Sequence, residues 1–467
     1  MELSIYKYVL DLIKEQIKGS RFEGHVFAVG GSVRDMLMGN EIKDIDLVID
    51  IEDGGIKFAE WITNQNKCFV PNSNPVIFRN YGTAKFNLRS YPKIADIEIE
   101  CVQTRKEQYH DSDSRNPTCT FGTIDEDANR RDLTINALYY DITNGQIIDF
   151  TKKGLDDIKN NIIRCPNKPD IIFSDDPLRM LRCIRFSTRF GWGIDKDTWI
   201  GICKNAYRIG IISQERITDE INKILLCQKP SLGIRKLYHS GLLKYTLPNI
   251  YDMVGLEHNI YHFGDVFEHT MSVLDNTQPI LVNRLSGLFH DVGKYSVKSV
   301  VNGITHFYGH EFSGYNMCLK ILHDMKYPNE IISKVRIAVK NHMRFKQNKN
   351  VSKKAVRKFL GEVEASDIDL ILDVIHADNI SHKEEYNMYD QVEDIKKIIF
   401  DIKENECQQL RPKLPINGND IIQHFNLKKG PLIGRYIELC KEYSYISPKA
   451  TKEDYFKIIQ EEIEKTV

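Results

Sequence analysis

The sequence lacks several features that define whole classes of protein. Its 467 residues contain no apolar run approaching the roughly 18 residues of a membrane span. Residues 1–7 show no basic start followed by an apolar core, so we predict neither a membrane protein nor a secretory signal. The ten cysteines include no Cys-x-x-Cys pair, which disfavours a thiolate zinc site and predicts reduced thiols in the cytoplasm.

Positively and negatively charged residues are nearly equal in number. The chain has 64 Lys plus Arg against 65 Asp plus Glu, which excludes a bulk polycation and means that any nucleic acid must meet local basic patches. Hydrophobic residues make up 42% and charged residues 28%, which excludes a disordered chain. At about 150 residues per domain, the length predicts roughly three domains.

Patterning predicts an α+β fold with two kinds of region. Strand-like and helix-like patterns alternate between residues 25 and 150, whereas helical periodicity dominates after about residue 150. We therefore predict an α/β head followed by an all-helical body. A turn-rich loop is expected at 107–129 and a linker at 405–415.

A glycine pair and two closely spaced aspartates mark a first candidate site. Gly30 and Gly31 follow a strand-like run and open a helix, where backbone N–H groups can approach a phosphate. Alternation puts Asp44 and Asp46 on one strand face, about 6–7 Å apart, and Mg²⁺ would relieve their repulsion. Glu100, in an acidic and apolar alternation at 94–102, is the best third carboxylate. Taken singly, these features are also typical of an ordinary turn and a solvated strand face.

A row of arginines follows a predicted helix start at Asp176 and Pro177. Spacings of three, three and four residues place the arginines on one helical stripe, opposite an apolar side. They are Arg179, Arg182, Arg185 and Arg189. Because guanidinium groups on one stripe repel each other, the pattern predicts an anion or an acidic partner, and a nucleoside triphosphate would fit. The alternative is a solvated basic stripe.

Five motifs, in order, resemble those of class II tRNA nucleotidyltransferases, the CCA-adding enzymes, and their sister bacterial poly(A) polymerases. The motifs lie at 30–46, 130–138, 154–164, 174–186 and 215–221. The resemblance implies a polymerase-β-like nucleotidyltransferase head, built as a small mixed sheet with helices. It also implies that Mg²⁺ is held by Asp44 and Asp46, with CTP and ATP as substrates.

The same resemblance implies roles for single residues. Gly31 and Arg34 would hold the triphosphate, and Arg131 would contact the sugar or phosphate. Asp176 and Arg179 would pair with the Watson–Crick edge of the incoming base and so select C or A without a template. The segment at 121–127 resembles the flexible loop of members that add A as well as C.

A second candidate site is a set of histidines and aspartates in the helical body. Imidazole and carboxylate are natural ligands of a divalent transition metal, although a lone buried histidine is more often a satisfied core residue. The run His-Asp-x-Gly-Lys at 290–294, with a histidine upstream and an aspartate downstream, resembles the HD phosphohydrolase signature. That resemblance implies one metal on His269, His290, Asp291 and Asp378, and a possible second metal at His310 and His342. It implies hydrolysis of phosphate esters such as 2′,3′-cyclic and 2′-phosphates of RNA, unless the site is a structural relic.

The tail carries basic residues beside a helix start. Gly430 and Pro431 leave N–H groups open to phosphate, with Lys428, Lys429 and Arg435 close by. An ordinary turn between helices is the alternative, but the segment resembles the family tail that grips the tRNA elbow. With this resemblance the chain divides into a head at 1–150, a helical nucleotide-selecting neck at 151–255, an HD domain at 256–392 and a tRNA-binding tail at 393–467.

The motifs together predict a template-independent tRNA nucleotidyltransferase that adds or repairs the 3′-terminal CCA from CTP and ATP. Its partners would be the 3′ end and elbow of tRNA, with no membrane partner; the sequence does not indicate an oligomeric state. The alternatives are a poly(A) polymerase, a partial CC- or A-adding enzyme, an HD phosphohydrolase with an inactive head, and a non-catalytic RNA-binding protein.

Overall fold

The structure is a computed structural model that divides the chain into two compact units. It describes residues 1–65, 74–79, 82–88, 97–108, 118–257, 264–346, 350–405, 414–447 and 450–464. The first unit is Met1–Pro248 and the second is Asn249–Val467. The predicted head and neck therefore fall mainly in one unit, and the predicted HD domain and tail in the other; the finer division into four domains stays a prediction.

A mixed sheet forms the head. Within the described residues it has seven strands in the order β3-β4-β5-β2-β1-β8-β9. The strands of the head are β1 (Val26–Val29), β2 (Ile45–Ile49), β3 (Val76–Phe78), β4 (Thr83–Leu88), β5 (Ile97–Gln103), β6 (Arg105–Gln108), β7 (Thr118–Phe121), β8 (Leu138–Asp141) and β9 (Gln146–Asp149). β2 and β5 pair in parallel, and the other pairs in the sheet are antiparallel. This confirms the predicted small mixed sheet.

Helices cover the sheet because its strands are apolar on both faces. The head helices are α1 (Leu3–Ile17), α2 (Gly31–Met38), α3 (Gly54–Gln65), α4 (Ile124–Asn129) and α5 (Gly154–Asn160). The apolar stripe of α1, which includes Tyr6, Val9 and Ile13, is buried in the same core as β1, β2 and β5. On the other face Val29, Val48 and Tyr139 belong to a second core. The periodicity of the first 20 residues thus predicted α1 correctly.

The expected loop at 107–129 is wrong for its described part. β6 and β7 pair as an antiparallel ribbon, separate from the main sheet, and α4 follows directly. Thr123 and Glu126 form a reciprocal capping box that starts α4, so polar residues here build a helix start. Residues 109–117 of that segment, 94–96 of the predicted strand and 406–413 of the predicted linker lie outside the described residues.

The rest of the first unit is helical apart from one short strand pair. Its elements are β10 (Ile162–Ile163), β11 (Gly193–Ile194), α6 (Pro169–Asp175), α7 (Leu178–Phe190), α8 (Lys196–Asn205), α9 (Gln214–Leu225), α10 (Pro230–His239), α11 (Leu243–Thr246) and α12 (Pro248–Tyr251), whose last residues pass into the second unit. One side of α7, with Met180, Leu181 and Ile184, is buried, as its apolar spacing predicts.

The second unit is a bundle of helices with one small hairpin. Its elements are α13 (Val266–Asn276), α14 (Leu281–Phe289), α15 (Lys294–Val297), β12 (Ser299–Val301), β13 (Ile304–His306), α16 (His310–Asp324), α17 (Asn329–Asn341), α18 (Lys353–Glu362), α19 (Ile368–Ile380), α20 (Gln391–Asn405), α21 (Gly418–Phe425), α22 (Pro431–Ile446) and α23 (Lys452–Glu464). Tail helices α21 to α23 share a small core of their own. Among the described helices, none has the length and apolarity needed to cross a membrane.

Candidate functional site

The carboxylates of the head meet because two parallel strands are in register. Asp46 on β2 lies directly opposite Glu100 on β5, and Asp44 comes immediately before β2. Burial, followed by the nearby charges of Asp44 and Glu100, raises the pKa of Asp46 to about 6. Three neighbouring carboxylates, with Asp46 resisting ionisation, are a fitting ligand set for Mg²⁺, which prefers oxygen ligands.

A lysine that sequence reasoning missed lies beside this carboxylate cluster. Lys85 on β4 is in register with Glu100, and its Nζ lies 3.0 Å from Glu100 Oε2 and 2.9 Å from Glu98 Oε1. Strand alternation points all three side chains to the same face. The lysine offsets part of the negative charge that a metal would meet.

The glycine turn leaves open space next to the carboxylates. Gly30 joins β1 to α2 with φ of 75°, a conformation that favours glycine. A Cβ added there would lie 3.5 Å from Asp46 Oδ2 and 3.8 Å from a terminal nitrogen of Arg131. Gly30, Asp46 and Arg131 therefore border one space, and a side chain at position 30 would intrude into it.

Arg131 is held in place by buried partners. Its Nε and one terminal nitrogen donate to Asp127 Oδ2 at 3.2 and 2.9 Å, and Nε also donates to the Tyr139 hydroxyl at 3.2 Å. Burial opposes ionisation of Asp127, but Arg131 and Arg130 outweigh it and hold its pKa below the usual range. These contacts fix a cation at the edge of the space beside Gly30.

Arg34 is engaged inside the protein. Its Nε and one terminal nitrogen donate to the two oxygens of Asp35 at 3.0 and 2.7 Å, and its other terminal nitrogen donates to Asn136 Oδ1 at 2.5 Å. Its guanidinium also lies over the ring of Phe186. All three guanidinium nitrogens of Arg34 therefore have partners within the protein, and its contact with the triphosphate stays a prediction.

The structure supplies acidic partners for the arginine stripe on α7, one of the two possibilities that its spacing predicted. Internal carboxylates neutralise the stripe: Arg182 pairs with Asp132 at 2.7 Å and Arg185 with Glu220 at 2.6 Å. Arg179 lies 3.5 Å from Glu107, a longer contact. The acidic partner that the spacing left open is therefore the protein itself. A triphosphate is not needed to explain the stripe, and nucleotide contacts by Arg182 and Arg185 stay a prediction.

Asp176 and Arg179 lie at the start of α7. The helix itself begins one residue later than the sequence predicted. The helix begins at Leu178 with Pro177, not Asp176, as its N-cap residue, and Asp176 Oδ1 accepts a hydrogen bond from the Leu178 N–H at 3.1 Å. Asp176 Oδ2 pairs with Arg216 at 2.9 Å. The motif at 215–221 is thereby joined to the motif at 174–186.

A second constellation lies within the other unit, where α13, α14, α16, α17 and α19 bring six side chains together. Asp291 is shared: its Oδ2 lies 3.1 Å from His290 Nε2 and 3.8 Å from His269 Nε2, and its Oδ1 lies 3.3 Å from His310 Nε2 and 3.7 Å from His342 Nε2. His269 Nε2 is 3.1 Å from Asp378 Oδ1. All six predicted HD residues are buried and converge.

The tautomers of these histidines suit metal binding. The Nδ1 atoms of His290, His310 and His342 lie 2.7–2.9 Å from the carbonyl oxygens of Gly287, Phe307 and Val339. When the proton is on Nδ1 and is donated to a carbonyl, Nε2 is unprotonated, and its lone pair can bind a metal. The Nε2 atoms then face each other at 3.3 Å for His269 and His290 and 3.2 Å for His310 and His342. Two residue groups, His269, His290 and Asp291 and then Asp291, His310 and His342, have ligand atoms close enough that each could hold a divalent ion.

Two lysines line the same region: Lys294, the last residue of the signature, and Lys346, which the sequence did not single out. Lys294 Nζ lies 2.6 Å from Asp291 Oδ2 and Lys346 Nζ lies 2.8 Å from Asp378 Oδ2. Lys346 also contacts His382 Nε2 at 3.1 Å. Burial lowers the pKa of His269 to about 3 despite Asp378 and Asp291 nearby, so this imidazole is neutral and able to bind a metal at pH 7.

The tail residues lie on a small helical surface. Lys428 and Lys429 are exposed before α22, which begins at Pro431. Arg435 on α22 pairs with Glu462 on α23 at 2.9 Å. The predicted helix start at 430–431 is present, and the preceding helix α21 begins with a capping box of Asn417 and Asp420.

Several partners of the site were missed because they come from distant segments. Glu107 on β6 contacts Arg130 at 2.9 Å as well as Arg179, and Glu220 lies within a motif that was noted but given no role. The one available signal was the acidic and apolar alternation around Glu100, which implies that a basic residue such as Lys85 faces it from a neighbouring strand.

Comparisons with known proteins agree with this arrangement. The family model described as the poly A polymerase head domain matches residues 26–164. The model described as the probable RNA and SrmB-binding site of polymerase A matches residues 191–253. The mitochondrial CCA tRNA nucleotidyltransferase of Saccharomyces cerevisiae is 25% identical over 91% of this chain and 86% of that protein. The CC-adding tRNA nucleotidyltransferase of Thermus thermophilus is 26% identical over 92% and 91%.

The fold is similar to that of a solved structure over almost the whole chain. The crystal structure of the Bacillus stearothermophilus CCA-adding enzyme in complex with CTP matches with a TM-score of 0.64 and 19% identity, covering 99% of this chain and 98% of that one. Residues 26–164, which include the mixed sheet and its carboxylate cluster, are similar to the poly A polymerase head domain. Over most of its length the chain is similar to proteins named as tRNA nucleotidyltransferases.

Proposed function

We propose that this protein is a template-independent tRNA nucleotidyltransferase that completes the 3′-terminal CCA of tRNA from CTP and ATP. The observation that carries the proposal is the register of Asp46 with Glu100, with Asp44 alongside, next to the open turn at Gly30. Full-length similarity to relatives named for CCA and CC addition supports the same activity.

In this proposal Asp44, Asp46 and Glu100 hold Mg²⁺ in the head. When bound, the metal would supply charge stabilisation at the reacting phosphate and favour the deprotonated 3′-hydroxyl. The RNA 3′-oxygen attacks the α-phosphorus of the nucleotide, a new P–O bond forms and pyrophosphate leaves with the broken P–O bond. Arg131 orients the nucleotide, and the bare backbone at Gly30 and Gly31 admits the triphosphate.

Base selection is assigned to Asp176 and Arg179. A carboxylate accepts and a guanidinium donates hydrogen bonds, so together they can distinguish the edges of C and A. Both residues have internal partners, Arg216 for Asp176 and Glu107 for Arg179. We infer that these partners position the pair, and that Arg182 and Arg185 brace it through Asp132 and Glu220.

Single-nucleotide extension tests the proposal. Purified protein with Mg²⁺ receives tRNA transcripts that end before CCA, after C or after CC, with CTP, ATP or both. We expect stepwise completion to CCA, loss of extension in Asp46→Asn, and normal extension in Asp53→Asn, which changes an exposed aspartate just beyond β2. No extension of any transcript would overturn the proposal.

The same assay separates the alternatives within the class. Extension that stops after CC would indicate a CC-adding enzyme, like the Thermus thermophilus relative. Addition only to the transcript ending in CC would indicate an A-adding enzyme, and a long A ladder a poly(A) polymerase. If only phosphate-ester hydrolysis is found, the protein is an HD phosphohydrolase with an inactive head.

A second activity is favoured by the six converging HD side chains. We propose that they bind divalent transition metals and hydrolyse phosphate esters such as 2′,3′-cyclic and 2′-phosphates of RNA. The bound metal would supply an activated water; the water oxygen bonds to phosphorus, one P–O bond breaks, and the departing oxygen takes up a proton. Asp46→Asn should leave this activity intact, whereas His290→Ala should abolish it and leave nucleotide addition intact.

The proposal also includes an RNA-binding surface in the tail and a cellular compartment. Lys428, Lys429 and Arg435 would contact RNA phosphates near the elbow, recognising shape. We place the protein in the cytoplasm on its reduced cysteines; the similar yeast enzyme is named as mitochondrial. Fractionation of cells that express a tagged chain distinguishes the two compartments.

A further inference from the structure

Two neighbouring helices of the second unit carry aromatic rings and cations on one surface. Phe312 and Tyr315, three residues apart, lie on one side of α16, and Arg336 and Lys340, four residues apart, lie on one side of α17. The two helices pack against each other, and each cation lies over at least one of the rings. These four side chains form what we call the α16–α17 surface.

Arg336 is held in place with part of its guanidinium group left open. Its Nε donates to the carbonyl oxygen of Tyr315 at 2.9 Å, and its guanidinium carbon lies 3.9 Å from the centre of the Tyr315 ring. Among the described residues, its two terminal nitrogens have no hydrogen bond or ion pair. A planar guanidinium that is fixed and keeps its terminal donors open suits bidentate contact with a phosphate.

The second cation lies beside an exposed ring. Phe312 is 56% exposed, and Lys340 Nζ lies 5.6 Å from the ring centres of both Phe312 and Tyr315. Within the described part of the chain, Lys340 pairs with no carboxylate, whereas Lys334 on the same helix pairs with Glu330 at 2.8 Å. Unlike the arginine stripe of α7, this surface therefore keeps positive charge that the protein does not neutralise.

We propose that the α16–α17 surface binds a single-stranded segment of RNA, with a base stacked on Phe312 and backbone phosphates at Arg336 and Lys340. Exposed aromatic rings beside cations are the usual means of binding unpaired nucleotides, whatever their base. An acidic peptide would satisfy the two cations but would not require the exposed ring. The inference goes beyond the proposed function, because it uses neither the head carboxylates, nor the HD residues, nor the tail lysines.

Fluorescence anisotropy of a labelled circular oligouridylate tests the inference on the full chain. A circle has no 3′ end, so its binding does not depend on recognition of an RNA end by the head. We expect Phe312→Ala to raise the Kd about tenfold, and Phe312→Tyr, which keeps a ring, to bind like wild type. Phe400→Ala is the matched control, since Phe400 is 67% exposed on α20.

The salt dependence of the same binding tests the two cations. Arg336→Gln and Lys340→Gln should each lower the slope of log Kd against log salt by roughly 0.7, the value for one phosphate contact on a single strand. Arg336→Lys should keep the slope but still raise the Kd, because a lysine lacks the bidentate geometry. Lys334→Gln is the control on the same helix, and it should alter the slope less because Glu330 already pairs with that lysine.

The results that would overturn the inference are distinct from failure of the proposed activities, which are measured on other substrates. Unchanged binding in Phe312→Ala, or an equal loss in Phe312→Ala and Phe400→Ala, excludes the stacking contact. An equal loss for duplex RNA also excludes it, because paired bases are not available to stack. Binding lost only when Lys428 and Lys429 are replaced would assign the single strand to the tail. A polyglutamate peptide that binds more tightly than RNA through Arg336 and Lys340 would indicate an acidic protein partner and refute the inference.

Discussion

Arg185 donates a hydrogen bond from Nε to Oε2 of Glu220 across 2.6 Å, and Glu220 is almost completely buried. Arg182 lies 4.0 Å from the same Glu220 and also pairs with Asp132. Asp132 in turn is bonded by Asn136, and Asn136 by Arg34, so the pair belongs to a longer series of polar contacts. The arginine stripe of α7 is therefore part of an internal polar network. Such a network can hold the nucleotide-selecting residues at fixed positions before a nucleotide arrives.

Removing Glu220 should destabilise the protein strongly. Glu220→Ala leaves Arg185 without its close partner in a buried place, and breaking one side of such a pair costs about 3–5 kcal/mol. Asp219→Ala is the matched control, because neighbouring Asp219 is exposed and pairs with Lys223 on the surface, where such pairs contribute about 0–1 kcal/mol. Urea unfolding of both variants measures the difference. Equal, small losses would contradict an internal role for the pair.

Asp46 should make stability depend on pH when divalent ions are chelated. Its pKa is about 6 in the folded protein against 3.8 ordinarily, so the folded state binds the proton more tightly than the unfolded state. Stability is then lost as pH rises from about 4 through 6. Asp46→Asn should be more stable than wild type above pH 7, by about 1–3 kcal/mol, and similar to it near pH 4.

Thermal unfolding in EDTA from pH 4.5 to 8 measures this effect. Mg²⁺ should raise the Tm of wild type at pH 7.5, because a ligand stabilises a folded protein that binds it. Asp46→Asn lacks a proposed Mg²⁺ ligand, so its Tm should stay nearly unchanged. Asp53→Asn should follow wild type throughout. A wild-type advantage over Asp46→Asn at pH 7.5 in EDTA would refute the crowding of carboxylates around Asp46.

Lys85 should weaken metal binding in the head. Its Nζ lies 3.0 Å from Glu100, so Lys85→Met removes a competing cation and should tighten Mn²⁺ binding several-fold, since charges about 4 Å apart near a surface interact by about 1 kcal/mol or more. Glu98→Gln removes one of the two carboxylates that pair with Lys85. Lys85 then pairs with Glu100 alone, competes more strongly with the metal and should weaken Mn²⁺ binding. Paramagnetic titration in the Asp291→Ala background, which lacks a ligand of both HD clusters, reports the head separately. Shifts in the same direction for both variants would exclude this competition.

Sequence patterns predicted single elements well and their partners poorly. The strand at 26–29, helix α1 and the pair Asp44 and Asp46 follow from local alternation or periodicity, and these are local properties of the chain. The carboxylates that face the arginines are not local: Asp132 lies 50 residues from Arg182, and Glu220 lies 35 residues from Arg185. Helical periodicity indicates that the arginine stripe needs negatively charged partners. Only tertiary contacts determine whether those partners are a bound ligand or carboxylates of the protein.

The HD residues show the opposite case. The signature at 290–294 and the separated histidines identified all six converging side chains, since metal ligands are few in type and their spacing is characteristic. Lys346 and His382 were missed because neither belongs to the signature.

Metal content should follow the shared position of Asp291. His342→Ala removes a ligand from only one of the two clusters, whereas Asp291→Ala removes a ligand from both. We expect about one metal ion fewer per chain in the first variant and loss of both HD ions in the second, measured by mass spectrometry after dialysis. His323→Ala, which alters an exposed histidine on α16, should retain the wild-type content. Equal metal content in all the variants would refute the two-cluster site.

The tail should contribute phosphate contacts to tRNA binding. Lys428 and Lys429 are exposed just before α22, and each lysine that neutralises a phosphate releases bound counterions, so replacing one lowers the slope of log Kd against log salt by about 1. The double change of both lysines to alanine should weaken tRNA binding at low salt and raise KM for tRNA with little change in kcat. The matched double change of Lys441 and Lys457, exposed lysines on α22 and α23, should alter the slope less. If both pairs lower the slope equally, the tail attracts RNA only by its general charge, and the proposed contact at the start of α22 is wrong.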